Sequence, residues 1–220
     1  MPLLSEIEFG SYLVYSPSGQ SAKSQQSNAV CRAVKHDSSL PLISQGGRLA
    51  RVIPHVVGDL AGRLGRTPLA PLFAGKPMLV PAPRSSLVKQ GTLSPPRVIC
   101  QELVARGLGS EVQEALRRIM AVPKAAFQQP ADRPTAPQHY ASLSATHSLV
   151  VPAEILLVDD VVTSGTMLLA SVSRLREAFP TATVRAFALV RTMSGQEVDA
   201  LLDPCLGVVK LRGERGHRVP

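Results

Sequence analysis

Apolar and polar positions follow two different periods in the last third of the chain. Ile155–Val158 is a short, wholly apolar run of the kind that forms a buried strand. Apolar positions three or four residues apart then predict a helix from Gly165 to Phe179, which Pro180 stops. The apolar and β-branched run Thr183–Val190 predicts another strand. A short helix and a last strand are expected after it, at Glu197–Leu202 and Leu206–Leu211.

Similar patterns in the middle of the chain predict further elements. Helical spacing from Leu49 to Leu64 indicates an amphipathic helix capped by Ser44, in which Pro54 causes a kink or marks a later start. The apolar run Pro77–Ala82 predicts a strand. The elements expected next are a helix from Pro95 to Gly107, a short helix at Glu111–Arg118, a strand at Ile119–Val122 and an irregular, Pro-rich loop at Pro123–Ser144.

Strands that alternate with helices favour an α/β fold with a parallel sheet flanked by helices. We assign residues 41–220 to this domain. Residues 1–40 are polar and contain two extended candidates, Phe9–Val14 and Asn28–Val34, on either side of a Pro- and Gly-containing loop. The sequence therefore predicts a small N-terminal hairpin, or hood, added to the α/β domain.

Composition narrows the class of protein. The chain has 220 residues, of which 45% are hydrophobic, which suits one domain with a sizeable core. It contains no run close to the roughly 18 apolar residues of a membrane span, and its N-terminus lacks a signal-like pattern. We therefore expect a cytoplasmic protein without a membrane partner. The scattered Cys31, Cys100 and Cys205 indicate neither a disulfide framework nor a zinc site.

Positive charge indicates an anionic partner. The chain has 24 Lys and Arg against 16 Asp and Glu, a net charge of +8. Between Asp59 and Glu102 every charged residue is basic. The chain has no Trp, three Tyr and five Phe, so it offers few of the aromatic rings on which single-stranded nucleic acids stack. The composition thus indicates an anion more firmly than it indicates nucleic acid.

An acidic pair and a hydroxyl-rich turn follow the strand predicted at Ile155–Val158. The segment reads ILLVDDVVTSGTM, so that Asp159 and Asp160 stand at the strand end and a T-S-G-T turn leads into the helix. Such a turn offers backbone N–H groups, hydroxyl donors and the positive end of the helix dipole, which suit a phosphate. Gly165 lets the backbone approach the anion closely. The carboxylates suit sugar hydroxyls or a metal ion that the ligand carries.

The segment Ile155–Met167 closely resembles the 5-phosphoribosyl 1-diphosphate (PRPP) motif of type I phosphoribosyltransferases. The rest of the chain resembles, more weakly, the competence-protein-F (ComF) type of orphan phosphoribosyltransferase. That weaker resemblance lies in Tyr12, Ala33–His36, Leu79–Arg84 and Leu116–Arg133. The four-cysteine zinc element of that branch is absent from the sequence, and its R-G-F-N-Q segment is replaced by Lys89-Gln90-Gly91-Thr92-Leu93.

The resemblance implies a type I phosphoribosyltransferase-like fold and assigns roles to particular residues. It makes Asp159 and Asp160 the catalytic acids, which contact the ribose and reach Mg²⁺ indirectly through ribose or water. It places the 5′-phosphate on Val162, Thr163, Ser164, Gly165 and Thr166. It places pyrophosphate on Pro83, Arg84, Ser85 and Ser86, and on Lys89 from a closing loop. The implied reaction, in nucleotide metabolism, transfers phosphoribosyl from PRPP to an unidentified nitrogenous acceptor; a homodimer is expected.

Other functions stay open at this point. The same fold also hosts non-catalytic PRPP or nucleotide sensors. The ComF resemblance and the positive charge would also fit a nucleic-acid-associated module, in DNA uptake or in a defence or toxin cassette. Arg117, Arg118 and Arg133 either form a solvated face or help to bind pyrophosphate or the acceptor, and His139–Tyr140 is a further candidate for stacking on the acceptor.

Overall fold

A six-stranded sheet organises the part of the chain that the computed structural model describes, residues 3–45, 48–87, 92–123, 132–146 and 151–219. The strands are β1 (Glu6–Tyr15), β2 (Ser39–Gln45), β3 (Arg48–Arg51), β4 (Met78–Pro81), β5 (Leu116–Arg118), β6 (Leu143–Ala145), β7 (Glu154–Val162), β8 (Thr183–Thr192), β9 (Leu202–Arg212) and β10 (Arg215–Val219). The helices are α1 (Ala22–His36), α2 (Val52–Arg63), α3 (Ala70–Phe73), α4 (Pro95–Ala105), α5 (Ala136–Ala141) and α6 (Thr166–Ala178), with a 3₁₀ turn at Leu64–Arg66.

The strand order across the sheet is β10-β9-β1-β8-β7-β4. Strands β1, β8, β7 and β4 are parallel to one another, whereas β9 runs antiparallel to β1 and β10 antiparallel to β9. Two small antiparallel pairs, β2 with β3 and β5 with β6, lie outside this sheet. Because the four parallel strands point the same way, the segments that follow them meet at one edge, which we name the C-terminal edge.

Each face of the sheet is covered by a hydrophobic core. Ile155 and Leu157 of β7 belong to the core shared with α5 and α6, whereas Leu156 and Val158 belong to the core shared with α1, α2 and α4. This division follows the twofold alternation of side chains along a strand. Burial on both faces explains why β7 reads as a continuous apolar run rather than an alternating one.

The predicted α/β class is confirmed, but the predicted N-terminal hairpin is wrong. Phe9–Val14 does form a strand, β1, yet it lies inside the main sheet between β8 and β9. Asn28–Val34 lies in helix α1, whose N-cap Ser21 accepts a hydrogen bond from the Ser24 backbone. The helical spacing of buried Cys31 and Val34 against the sheet outweighs the local strand preference. Among the described residues up to 40, this segment thus contributes a strand to the main sheet and a helix that covers it, rather than a hairpin.

The middle of the chain also departs from the pattern-based expectations. Helix α2 begins at Val52 with Arg51 as its N-cap, so Ser44 is not the cap, and Pro54 sits in the first turn, where proline is tolerated. No helix forms at 111–118: Leu116–Arg118 is strand β5, and 119–122 is not a strand. The described part of 123–144 is not wholly irregular, because a capping box at Thr135 starts α5 there.

The C-terminal third follows the prediction until its end. Helix α6 and strand β8 are present near the predicted bounds, as are strand β4 and helix α4 in the middle of the chain. The segment 197–202 is not a helix, and β9 is longer than predicted. A further strand, β10, was not predicted. It follows a two-residue loop that begins with Gly213 at φ +58°, a conformation that glycine adopts readily.

Within the described residues, no helix is both long enough and apolar enough to cross a membrane. The cysteines Cys31, Cys100 and Cys205 are free thiols.

Candidate functional site

Strand β7 carries the acidic pair to the C-terminal edge of the sheet. The strand does not end at Val158, as the sequence suggested, but runs through the acids to Val162, with Asp159 paired to Ala188 and Val162 paired to Arg191 of β8. The β-branched Val161 and Val162 favour this extension. Both carboxyl groups are therefore held on a paired strand rather than on a free loop.

The two acids are in different surroundings although they are adjacent. Asp159 is 7% exposed and its Oδ1 accepts a hydrogen bond of 2.9 Å from the Asp160 backbone N–H. Asp160 is half-buried, and its Oδ1 accepts a bond of 2.8 Å from the Val161 N–H. Burial, and then the neighbouring Asp160 carboxylate, raise the pKa of Asp159 well above its ordinary value. The carboxyl oxygens of the two acids can accept hydrogen bonds from sugar hydroxyls.

The turn after β7 is shaped by one glycine. Gly165 is the N-cap of α6 with φ +84°, and a Cβ at this position would lie 2.6 Å from the Val209 side chain. Both the backbone conformation and the contact exclude a larger residue. The hydroxyls of Ser164 and Thr166 lie 2.9 Å apart, and the Thr166 N–H donates to Ser164 Oγ over 3.4 Å. The turn is therefore compact and lined with hydroxyl groups.

A cavity of about 170 Å³ opens at this turn. All the residues that the resemblance assigned to the 5′-phosphate line it together with Asp159, namely Val162, Thr163, Ser164, Gly165 and Thr166. Asp160 is not among its lining residues. Arg133 and Arg215 add positive charge to the cavity wall, and His139 also lines it. An anion would thus meet hydroxyl donors, the N-terminus of α6 and two guanidinium groups.

The segment assigned to pyrophosphate lies at the same edge. It follows β4, and the Ala82 N–H donates to the Val158 carbonyl over 2.8 Å, which sets its start beside the residue before Asp159. The Arg84 Nη1 donates to the Leu93 carbonyl over 2.8 Å. Pro83 and Arg84 line a second cavity of about 770 Å³, whereas Ser85 and Ser86 are not among its lining residues. Lys89 lies outside the described residues.

Arginines surround this second cavity, and sequence reasoning misjudged one of them. Arg97, Arg117 and Arg118 line it with Arg84. Arg118 is only 6% exposed: its Nε donates to the Arg84 carbonyl over 2.9 Å, and its Nη1 donates to Ser142 Oγ. Burial lowers the pKa of Arg118 to about 10. The signal was in the sequence, because strand alternation from the buried Leu116 places Arg118 on the inner side.

His139 is the other functional candidate whose surroundings the sequence did not indicate. It is 7% exposed, so it is not available for stacking on the surface, and burial followed by the charge of Arg118 lowers its pKa to about 4. Among the described residues, none is hydrogen-bonded to its Nδ1. An imidazole whose Nδ1 has no hydrogen-bond partner among the described residues therefore belongs to the wall of the cavity that Asp159 and the turn also line.

Comparison with known proteins adds no further assignment. No protein-family model and no curated protein matches this chain. Within the described residues, no group of three or more His, Cys, Asp and Glu side chains is placed to hold a metal ion. The acidic pair alone suits a Mg²⁺ ion that arrives with a phosphorylated ligand, because such ions commonly take one or two carboxylates and complete their shell with phosphates and water.

Proposed function

We propose that this chain binds PRPP at the C-terminal edge and transfers its phosphoribosyl group to a nitrogenous acceptor, releasing pyrophosphate. The observation that carries the proposal is the single cavity lined by the T-S-G-T turn, Asp159 and two arginines. The resemblance of Ile155–Met167 to the PRPP motif supports PRPP over other sugar phosphates. On the same grounds we propose a type I phosphoribosyltransferase-like fold, extended at one side by β9 and β10.

Each part of PRPP has a matching group in this arrangement. The hydroxyls and N–H groups of Thr163–Thr166 would bind the 5′-phosphate. Asp159 and Asp160 would hold the ribose hydroxyls through their carboxyl oxygens. Arg84 and its neighbours at the larger cavity would bind the diphosphate, since guanidinium groups pair well with phosphate oxygens.

The reaction would be a displacement at the anomeric carbon. The bond from C1 to the diphosphate oxygen breaks, a bond from the acceptor nitrogen to C1 forms, and the nitrogen loses a proton. The protein would act by orienting the two reactants and by stabilising charge on the leaving group. Mg²⁺ that arrives with PRPP, held near Asp159 and Asp160 indirectly through ribose hydroxyls or water, would screen the negative charge of the diphosphate.

Calorimetry with PRPP and Mg²⁺ tests the binding half of this proposal. The wild-type chain should bind, and the double variant Asp159→Asn with Asp160→Asn should bind at least tenfold more weakly, about 1.4 kcal/mol. Asp199→Asn, at an exposed position away from the cavities, is the matched control and should bind like the wild type. Equal binding by the double variant would show that the acids do not form the site.

Pyrophosphate release tests the catalytic half. A panel of nucleobases and amines, each mixed with PRPP, Mg²⁺ and the protein, should contain an acceptor that releases pyrophosphate in an Asp159-dependent manner. PRPP binding without release for any acceptor would instead support a sensor. The contact of Arg84 with the Leu93 carbonyl favours this alternative, because it keeps that guanidinium group partly occupied.

A further inference from the structure

The C-terminal hairpin, β9 and β10, lies directly against the phosphate turn. The Gly216 N–H donates to Thr166 Oγ1 over 3.0 Å, and the Arg218 Nε donates to the Thr163 carbonyl over 3.1 Å. Arg218 also donates through Nη2 to the carbonyl of Thr192, at the end of β8. The hairpin is thereby fixed to both ends of the turn and to the neighbouring strand.

The tip of the same hairpin is fixed on the other side of the cavity. The carbonyl of Glu214 accepts a hydrogen bond of 2.7 Å from the Ala136 N–H, at the start of α5. The Arg215 Nη2 donates to the Arg133 carbonyl over 3.2 Å. Arg133 and Arg215 both line the cavity, so the hairpin and the segment before α5 both contribute to its wall.

The main chain of Gly216 approaches the turn too closely for any side chain. A Cβ on Gly216 would lie 2.7 Å from the Thr166 backbone nitrogen and 2.9 Å from the Gly165 carbonyl carbon. These neighbours are backbone atoms, which cannot rotate aside as a side chain can. The hairpin is thus seated on the turn itself and forms a wall of the cavity.

The Gly216 N–H also determines what the turn offers to a ligand. Ser164 and Thr166 have two hydroxyl protons between them, and one of these lies in the bond that joins the two oxygens. Because Thr166 Oγ1 accepts from Gly216, a lone pair of this oxygen is occupied. Whichever of the two hydroxyls donates in the bond between Ser164 and Thr166, the other hydroxyl keeps its proton and can donate it to a ligand. The hairpin therefore biases the turn towards a ligand rich in acceptor oxygens.

We propose that the C-terminal hairpin is part of the phosphate site and makes it selective for a terminal phosphate monoester. This inference rests on the proposed function of the turn. Arg215 and the Gly216 main chain close the far side, so that a phosphate bound at the turn has room for one ester link only, towards Asp159. A phosphodiester, such as the backbone of a nucleic acid, would have to continue through the hairpin.

The size of the cavity and a buried histidine support this selectivity. At about 170 Å³ it has the volume of roughly five or six water molecules, below the 300 Å³ or so of sites that hold whole ligands. It thus suits a phosphoryl group and the atoms next to it. His139 is more than nine-tenths buried, lines the cavity and has an Nδ1 without a hydrogen-bond partner among the described residues. A ligand oxygen would supply that partner.

Calorimetry with ribose 5-phosphate, without metal, tests the proposal. The wild-type chain should bind ribose 5-phosphate and bind its methyl phosphodiester at least tenfold more weakly. Arg215→Gln should weaken the monoester about tenfold or more, because a charge-assisted contact is lost. Gly216→Ala should weaken it too, whereas Arg212→Gln, an exposed arginine on the same hairpin, should have no effect. Urea unfolding of each variant verifies that it is folded. If Gly216→Ala does not fold, the comparison of Arg215→Gln with Arg212→Gln is sufficient to test the proposal.

The outcomes separate this inference from the proposed function. If ribose 5-phosphate binds in a hairpin-dependent way while PRPP gives no pyrophosphate, the inference stands and the transferase proposal falls. If PRPP reacts but Arg215→Gln behaves like Arg212→Gln, the inference alone is overturned. Equal affinity for monoester and diester overturns it as well. If the wild type binds neither ribose 5-phosphate nor PRPP, both proposals fail.

Discussion

Asp159 and His139 line the same cavity, and their surroundings shift the pKa of each side chain towards its uncharged form. Burial raises the pKa of the Asp159 carboxyl and lowers that of the His139 imidazole to about 4. The cavity wall therefore combines the positive charges of Arg133 and Arg215 with an Asp159 carboxyl whose ionisation is disfavoured by burial. This balance suits a phosphate, and it makes the stability of the protein depend on pH in a way that variants can reveal.

Asp159→Asn should stabilise the protein at neutral pH. The folded state favours the protonated carboxyl, so the wild type loses stability as the pH rises from about 3.9, the ordinary pKa of aspartate, towards the raised value. Asparagine has the same shape and cannot ionise. We expect a gain of about 1 kcal/mol in the free energy of unfolding at pH 7, measured by urea denaturation.

The pH dependence of this gain provides its control. The gain should be larger at pH 8 than at pH 5, because only the wild-type carboxyl ionises more readily in the unfolded chain than in the folded protein. Asp160→Asn, at the half-buried neighbour, should give a smaller gain. A loss of stability in Asp159→Asn at pH 8 would contradict the assigned direction of the pKa.

His139 should make the protein sensitive to mild acid. Its folded-state pKa of about 4 lies below the ordinary value near 6.5, so the unfolded chain takes up the proton first as the pH falls. The corresponding stability is complete above about pH 6.5 and is lost as the pH falls to about 4, up to about 3 kcal/mol. Melting temperatures at pH 7.5 and 5.0 should therefore differ more in the wild type than in His139→Asn. An equal decrease of the melting temperature in the wild type and in His139→Asn would refute this prediction. His36→Asn, at an exposed histidine, is the control and should behave like the wild type.

The elements of the C-terminal third could be predicted because their signals are local. The apolar run of β7, the T-S-G-T turn and the spacing of α6 all lie within residues 155–179, and the five assigned phosphate residues do line one cavity. The apolar run gives no sign of its pairing with β8, so the pattern alone predicts an end at Val158. The sequence thus locates the turn, the acids and both strands, but not the pairing that extends β7 through the acids.

The remaining parts of the site depend on contacts between distant segments. β1 lies between β8 and β9, more than 170 residues away in sequence, and no local pattern indicates such a pairing. Arg215 and Gly216 reach the turn only because β10 folds back over α6. The sequence suggests His139 as a residue that stacks on the acceptor, because the position of a lone histidine in a sequence does not indicate whether it is buried. Tertiary packing, rather than any motif, brings these residues to the cavity.

Glu197 should stabilise the start of helix α1. Its carboxylate accepts hydrogen bonds from the backbone N–H groups of Gln20 and Ser21, at 2.7 and 3.0 Å, and from Ser24 Oγ at 2.7 Å. These bonds lower the pKa of Glu197 to about 2. Glu197→Ala should therefore lower the melting temperature at pH 7, whereas Asp199→Ala, at an exposed position, should not.

The effect of Glu197→Ala should also depend on pH. A lowered folded-state pKa means that the stabilisation is complete above about pH 4.3, the ordinary value for glutamate, and is lost as the pH falls through about 2. The difference in melting temperature between wild type and variant should shrink over this range. A difference that stays constant down to pH 2 would rule out the carboxylate as its source.

Arg118 and Arg117 offer a matched pair on strand β5, one buried and one exposed. Arg118 donates to the Arg84 carbonyl and to Ser142 Oγ from one planar guanidinium group, and a lysine ammonium cannot reproduce both bonds in the same geometry. Arg118→Lys should therefore lower the free energy of unfolding by about 1–3 kcal/mol, while Arg117→Lys should change it by less than about 0.5 kcal/mol. Urea midpoints measure both. Because Arg118 donates to the carbonyl of Arg84, Arg118→Lys should also weaken PRPP binding more than Arg117→Lys does. If the two variants had equal urea midpoints and bound PRPP equally well, Arg118 would not support the segment after β4.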